Sequence, residues 1–472
     1  MNATSGTTGE NAAPGRFASK GDAGHSIALA FVLIVGALFA VGLLAHIDAL
    51  YGPWYWKWLE RDLGLGRTLM FLAPPFAIFV LAWWLAEQSR FAQRSAALPI
   101  VLLMAANFGL QFMALLCIPQ GFDRLAAIVV SPGATSYFTD AQQISDLVPW
   151  LRNFHEAKLG LHSATHPPGP ILYYYFWLKL LGPSTGAVVG GLGVGVIATL
   201  GIPTMYAFAG LWTAERRTRL LACAMYALLP ALMVFFPEFD QIYPIFAMLI
   251  VLAWVKALQG STAYSLLLVA ALFAATFFAY NLLVVGTFLA LYAAYFLWEQ
   301  HWAPAIWKQV LRVAAIALGV VVAIYILLWL ATGYDPIRSL AHAVREQNDL
   351  QARLMRPWSS GLVFAPYDFF LGSGMIAAPL IVLFLRRAFA EFDWKRSDLV
   401  LSLIALATIL VVDVSGVLRA ETARIWLFLQ PFALVPASSE MLRFGVRGRI
   451  AIFAMQWFVA ATLLCKISFL DP

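Results

Sequence analysis

The feature that most constrains this chain is a succession of apolar runs, each about as long as a helix needs to cross roughly 30 Å of hydrocarbon. They lie near residues 27–45, 68–86, 98–118, 167–182, 184–212, 220–236, 241–257, 264–280, 281–298, 313–331, 367–385, 398–416, 423–438 and 450–468. Backbone groups in lipid must be satisfied within their own segment, so such runs fold as helices. The expected fold is an all-α polytopic membrane protein, a bundle of about thirteen transmembrane helices forming a single integral domain over residues 26–472. With 62% hydrophobic and 12% charged residues in 472, no large soluble domain fits beside it. The first run is too long for the core of a cleaved signal peptide and reads as an uncleaved span. Residues 1–25, polar and without periodicity, read as a disordered cytoplasmic tail.

Charge placement orients the bundle. If the N-terminus is cytoplasmic, the connectors bearing Arg90 and Arg94, Arg216, Arg217 and Arg219, Lys256, Lys308 and Arg312, Arg386, Arg387, Lys395 and Arg396, and Arg443, Arg447 and Arg449 share one side. With the tail and Lys179, that side carries 18 basic and 9 acidic residues against 13 and 16 on the other. The net charge of +6 is thus a positive-inside bias and no sign of nucleic-acid binding. Residues 184–212, with GGLGVG and a Gly201–Pro203 step, allow one or three crossings between His166 and Arg216; three short or tilted helices are expected.

Three non-cytoplasmic segments exceed what a connector requires. His46 to Arg67 is aromatic and mixed in charge, and suits an interfacial helix. The large loop of about 119–166 holds Asp123, Tyr137, Asp140, Asp146, His155, Glu156, His162 and His166. The other large loop, about 333–366, is Arg-rich; a helix through 338–353 would present Arg345, Asp349 and Arg353 on one face, either to bind an anionic headgroup or as a solvated face with internal ion pairs. Acids also gather at the outer ends of spans, where burial beside lipid is costly unless each acid is paired or has a chemical role. These are Glu238 and Asp240 in FPEFDQIYP, Asp368 in APYDFF, and Glu421 beside Arg419 and Arg424 in LRAETARIW. Asp413 lies deeper. A cavity open to the external face accounts for them together.

The stretch HSATHPPGPILYYY, His162 to Tyr175, resembles the HPP signature of the GT-C superfamily, polytopic glycosyltransferases that use polyprenyl-phosphate sugars. Protein mannosyltransferases, aminoarabinose transferases and the family 39-like enzymes belong to it. The likeness covers roughly residues 98–260 and extends to SYFTDA (Ser136 to Ala141) and ExxRIW (Glu421 to Trp426), as in a bacterial branch of the group. One departure is that many members carry adjacent acids early in the first external loop, where this chain has isolated Asp123, Asp140 and Asp146.

The resemblance implies a GT-C-like bundle with external loop helices in a bacterial inner membrane, working on its external face. The implied activity is inverting transfer of a hexosyl or pentosyl group from a polyprenyl-phosphate donor to a glycan, lipid or protein of the cell envelope. A polysaccharide polymerase or ligase, or a transporter or flippase of lipid-linked sugar, are the alternatives. Such transfer needs a base for the acceptor hydroxyl and positive charge, or a divalent metal, at the departing phosphate. Asp140 is the first choice of base, Asp146 the next, and Asp240 an orienter or metal ligand.

Tyr137, His162, His166, Arg345, Arg353, Asp368, Glu421 and Arg424 are the expected substrate-binding residues, with Trp358 and Trp426 as further candidates for stacking on a sugar. A metal such as Mg, Mn or Zn would draw on Asp140, Asp240 and His166, although Pro167 pushes His166 toward extended geometry and away from a helical His–His pair. No Walker A loop, dinucleotide fingerprint or HExxH occurs, so no nucleotide cofactor is expected. Cys117, Cys223 and Cys465 lie in or beside apolar spans and read as packing residues.

Overall fold

The structure, a computed structural model, describes residues 21–54, 56–88 and 95–470. Among these, ten helices are long and apolar enough to cross a membrane, or eleven when one bent pair is counted as a span, with Thr262–Phe278 a shorter apolar helix. The all-α polytopic architecture therefore stands. Most of the expected tail, residues 1–20, and the connector residues Arg90 and Arg94 lie outside the described residues; the first helix already begins at Gly21.

Several expectations about individual runs are corrected. The run at 367–385 is two helices, Trp358–Gly372 and Ala377–Ala390, bent by 110° where Gly374 and Met375 adopt positive φ. The run at 423–438 is divided into Thr422–Ile425, a 3-10 turn at Leu427–Leu429 and Gln430–Met441, with Pro431 in the first turn of the last helix, where its missing N–H costs nothing. The aromatic segment after His46 contains no long helix. It has a 3-10 turn at Asp48–Tyr51 and a two-residue strand, Leu59–Glu60, paired antiparallel with Ile467–Ser468.

Residues 169–209 do not make three crossings. Gly182 has φ 78° and ψ 176°, and Pro183 follows it. The chain reverses there, because a side chain on Gly186 would strike the Trp177 backbone, one on Gly190 would strike the Tyr174 ring, and the Tyr173 hydroxyl donates to the Gly190 carbonyl at 2.8 Å. Gly169 abuts Phe277 and Phe278 and Gly195 abuts Phe236, so the first arm leaves the Phe236–Phe239 region and the second returns to it. The second arm then continues through Gly201–Ala209 to reach Arg219 beside Gly210. One net crossing results, and Lys179, near the reversal, does not join the basic end.

Among the described residues, the connectors bearing Arg217, Arg387, Arg443 and Arg449 meet at one end. Arg449 grips both oxygens of Glu87 at 2.8 Å, Arg217 donates to the Glu87 carbonyl, and Glu440 pairs with Arg387 at 2.9 Å and Arg443 at 3.4 Å. Both side chains of the Arg449–Glu87 pair are largely buried. Breaking such a pair strands a charge at a cost of about 3 kcal/mol. Glu87→Ala should therefore lower unfolding stability in detergent by that order, whereas an unchanged midpoint would mean that the pair does not tie these helices.

Candidate active site

At the other end, the large loop folds into short helices, Asp123–Val130, Tyr137–Gln142 and Leu147–Arg152. Ser136 precedes the second in left-handed geometry, and its hydroxyl lies 2.9 Å from that of Ser163 and accepts from the Ser163 amide at 3.0 Å. The SYFTDA segment is thereby clamped to the HSATHPPG segment. His166 is extended, as Pro167 requires, and the next helix begins at Gly169. Its ring packs edge-on against Tyr137, with Nδ1 2.8 Å from the His162 carbonyl. His162 directs Nε2 to the Gly133 carbonyl at 3.1 Å. Burial, then the nearby Arg424 charge, pushes His162 down to about 4, so its ring is neutral at neutral pH.

The second component is the turn bearing Glu421 and Arg424. Ala420 and Glu421 have φ of 63° and 55°, a left-handed geometry that ordinary residues adopt at a cost of about 1 kcal/mol or more each. Asp368 holds that turn: its Oδ2 accepts from the Ala423 amide at 2.9 Å and its Oδ1 from the Trp58 indole at 2.8 Å, while the Thr422 hydroxyl donates to the Ala365 carbonyl at 2.6 Å. Arg424 then reaches three carboxylates from two elements. It is 2.8 Å from Glu421, 3.5 Å from Glu238 and 3.7 Å from Asp240.

Arg356 approaches Glu421 from the other side at 3.2 Å, with its guanidinium over the Trp56 ring, and Arg419 donates to the Arg356 carbonyl at 3.1 Å. Burial alone would raise Glu421, but Arg424 and Arg356 hold it below the usual carboxylate range. Glu238, between two spans and only 2% exposed, is pushed by burial up to about 8 despite Arg424. It therefore carries a proton at neutral pH.

These groups line one cavity of about 520 Å³. Tyr137, His162, His166, Glu238, Asp240, Glu421 and Arg424 all face it, as sequence reasoning placed them at one external site. Leu283, Val284, Leu340, Val344 and Val417 form an apolar wall.

Other expected site residues lie elsewhere. Asp140 is buried outside the cavity lining, where its Oδ2 accepts from the Gly160 amide at 3.0 Å. Asp146 caps Leu147–Arg152, accepting from the Val148 amide. Asp368 supports the Glu421–Arg424 turn from behind. The 338–353 helix exists, as Pro336–Arg353 with Asp335 accepting from the amides of Ile337 and Arg338. Its charged face is turned outward, however: Arg345 is exposed, and Arg353 lines an adjoining groove of about 240 Å³ with Glu346. Trp426 is buried with its indole on the Leu418 carbonyl, and Trp358 donates to the Val414 carbonyl.

The residues that sequence reasoning missed are Asn281 and Gln351, whereas Arg356 belongs to the arginine-rich loop from which a headgroup-binding arginine was expected. Gln347 and Gln351 continue the apolar register of Leu340, Ala343 and Val344 at steps of three and four. Polar residues on an otherwise apolar helix face were the available signal.

The donor set does not fit a divalent cation. Among the described residues no group of three or more His, Cys, Asp or Glu side chains is arranged to hold one. Of the expected ligands, Asp140 is engaged by Gly160 and Asp240 faces a guanidinium.

No family model matches this chain, and no curated protein matches it. Among solved structures it is similar to ArnT from Cupriavidus metallidurans in the apo state, with a TM-score of 0.44 and 15% identity. The match covers 76% of this chain and 62% of that one, so this chain spans less than two thirds of the length of that relative.

Since the folded chain keeps the Glu238 proton to about pH 8 and an unfolded chain releases it near 4.5, stability falls as pH rises between those values. Glu238→Gln should flatten that part of the stability profile in denaturant titrations at several pH values. An identical slope would show that Glu238 is ionised in the fold.

Proposed function

We propose that this chain is a membrane glycosyltransferase of the GT-C type. It transfers a sugar from a polyprenyl-phosphate donor to a glycan, lipid or protein acceptor of the cell envelope, on the external face of a bacterial inner membrane. The observation that carries this reading is the cavity's mixed lining. Arginines and carboxyl groups line it together with aliphatic side chains, of which Leu283, Val344 and Val417 are about half exposed. A phosphate headgroup suits the arginines, which contact it through charge-assisted hydrogen bonds, and an isoprenoid chain suits the aliphatic side chains.

In this reading Asp240 is the base, displacing Asp140 and Asp146, which are engaged in the loop's own structure. The Asp240 carboxylate takes the proton of the acceptor hydroxyl, and that oxygen forms a bond to the anomeric carbon. The bond from this carbon to the donor phosphate oxygen breaks, and its electron pair leaves on the lipid phosphate. Attack opposite the leaving group inverts the centre. Arg424 and Arg356 stabilise the departing charge, and protonated Glu238 donates a hydrogen bond beside it. Glu421 keeps both guanidinium groups in place, while Tyr137 and His166 shape the wall opposite Arg424.

Purified protein supplied with a labelled polyprenyl-phosphate sugar and cell-envelope acceptors tests the proposal. Asp240→Asn should reduce kcat on the order of 1000-fold with little change in donor KM, since only the proton transfer is lost. Arg356→Gln should chiefly raise donor KM. Wild-type turnover in Asp240→Asn would remove it as the base, and no transfer from any donor would remove the activity.

A further inference from the structure

Beside the charged cluster the cavity carries a second set of polar groups, all uncharged. Gln351 is 7% exposed and lines the cavity, and neither its Oε1 nor its Nε2 has a hydrogen-bond partner. Asn281 lines it from another element; its Nδ2 reaches the Ile425 carbonyl at 3.5 Å, next to Arg424, and its Oδ1 has no partner. Gln347 and Asn348 also face the cavity. Buried amides are ordinarily satisfied, and each unpaired one costs free energy that a ligand's hydroxyls can recover.

We propose that Asn281, Gln347, Asn348 and Gln351 form the sugar-recognition side of the cavity and select a neutral, hydroxylated sugar over an amino sugar or a uronic acid. This rests on the donor reading above and deepens it. An amide presents both a donor and an acceptor, which matches a hydroxyl of either polarity. An ammonium group would need a carboxylate, and in the cavity Glu238 is protonated while Asp240 and Glu421 already face Arg424. A sugar carboxylate would place a further anion beside Asp240 and Glu421, where Arg356 and Arg424 are already paired with those acids and Arg419 is engaged by the Arg356 carbonyl. A charged sugar therefore enters with an unpaired charge, which costs free energy beside the buried Gln351 and Arg424.

The test uses the full chain in detergent with polyprenyl phosphates bearing glucose, glucosamine or glucuronate, reading binding by native mass spectrometry and transfer by product formation. The glucose lipid should bind and turn over with kcat/KM on the order of 100-fold above the two charged lipids. Gln351→Leu and Asn281→Leu should each raise KM for the glucose lipid about tenfold, with kcat and unfolding midpoint little changed. Preferential binding of the glucose lipid without transfer would uphold the sugar site while removing the transferase reading. Preference for glucosamine or glucuronate, equal binding of all three, binding of none, or an unaltered KM in both Leu variants would overturn the sugar site itself.

Discussion

The site end of this structure depends on one buried guanidinium. Arg424 is brought into the interior of an apolar bundle, where an unpaired charge would be prohibitive. Its charge is met by residues far apart in sequence, Asp240 from the connection between two spans and Glu421 from its own turn, with protonated Glu238 beside them. Arg356 then balances Glu421 from a third element. Such a cluster locks the relative positions of the loop after Phe236, the turn after Leu418 and the segment leading into Trp358. It also concentrates charge in one place, as a site for an anionic headgroup requires.

The turn that delivers Arg424 is itself unfavourable, with two consecutive non-glycine residues in left-handed geometry. Asp368 offsets that cost through hydrogen bonds from Ala423 and Trp58, which joins the bent helix pair, the turn and the aromatic segment after His46. On the opposite wall, Gly186 and Gly190 let the arms of the 169–199 hairpin touch, and this seats Tyr174 against Phe138 and Phe239 beneath the site. Small residues and strained residues thus serve the same end. They set the cavity walls at separations that larger or relaxed residues would not permit.

Much of the site was legible because charge is scarce in this chain. Acids at the ends of apolar runs must be paired or used, and that reasoning alone gathers Glu238, Asp240, Glu421 and Arg424 at one external face. It did not separate acids that face the cavity from those that hold its frame. Asp140 and Asp368 look like Asp240 in sequence, yet Asp140 accepts the Gly160 amide of its own loop and Asp368 the Ala423 amide of a distant turn, and no local pattern announces such partners. Asn281 and Gln351 escaped because neutral amides carry no topological signal.

What the sequence determined by itself is the solvent and the secondary structure. Apolar runs of span length can satisfy their backbone in lipid only as helices, and the basic connectors must then share one end. The path of the chain at 169–209, the bend at Gly374 and the division of 423–438 were decided only in the tertiary structure. At these places glycine, proline and left-handed residues permit several local conformations of similar energy, and packing selects among them. The same holds for the cavity: its charged members are named in the sequence, but their distances exist only once one arginine has gathered three carboxyl groups around itself.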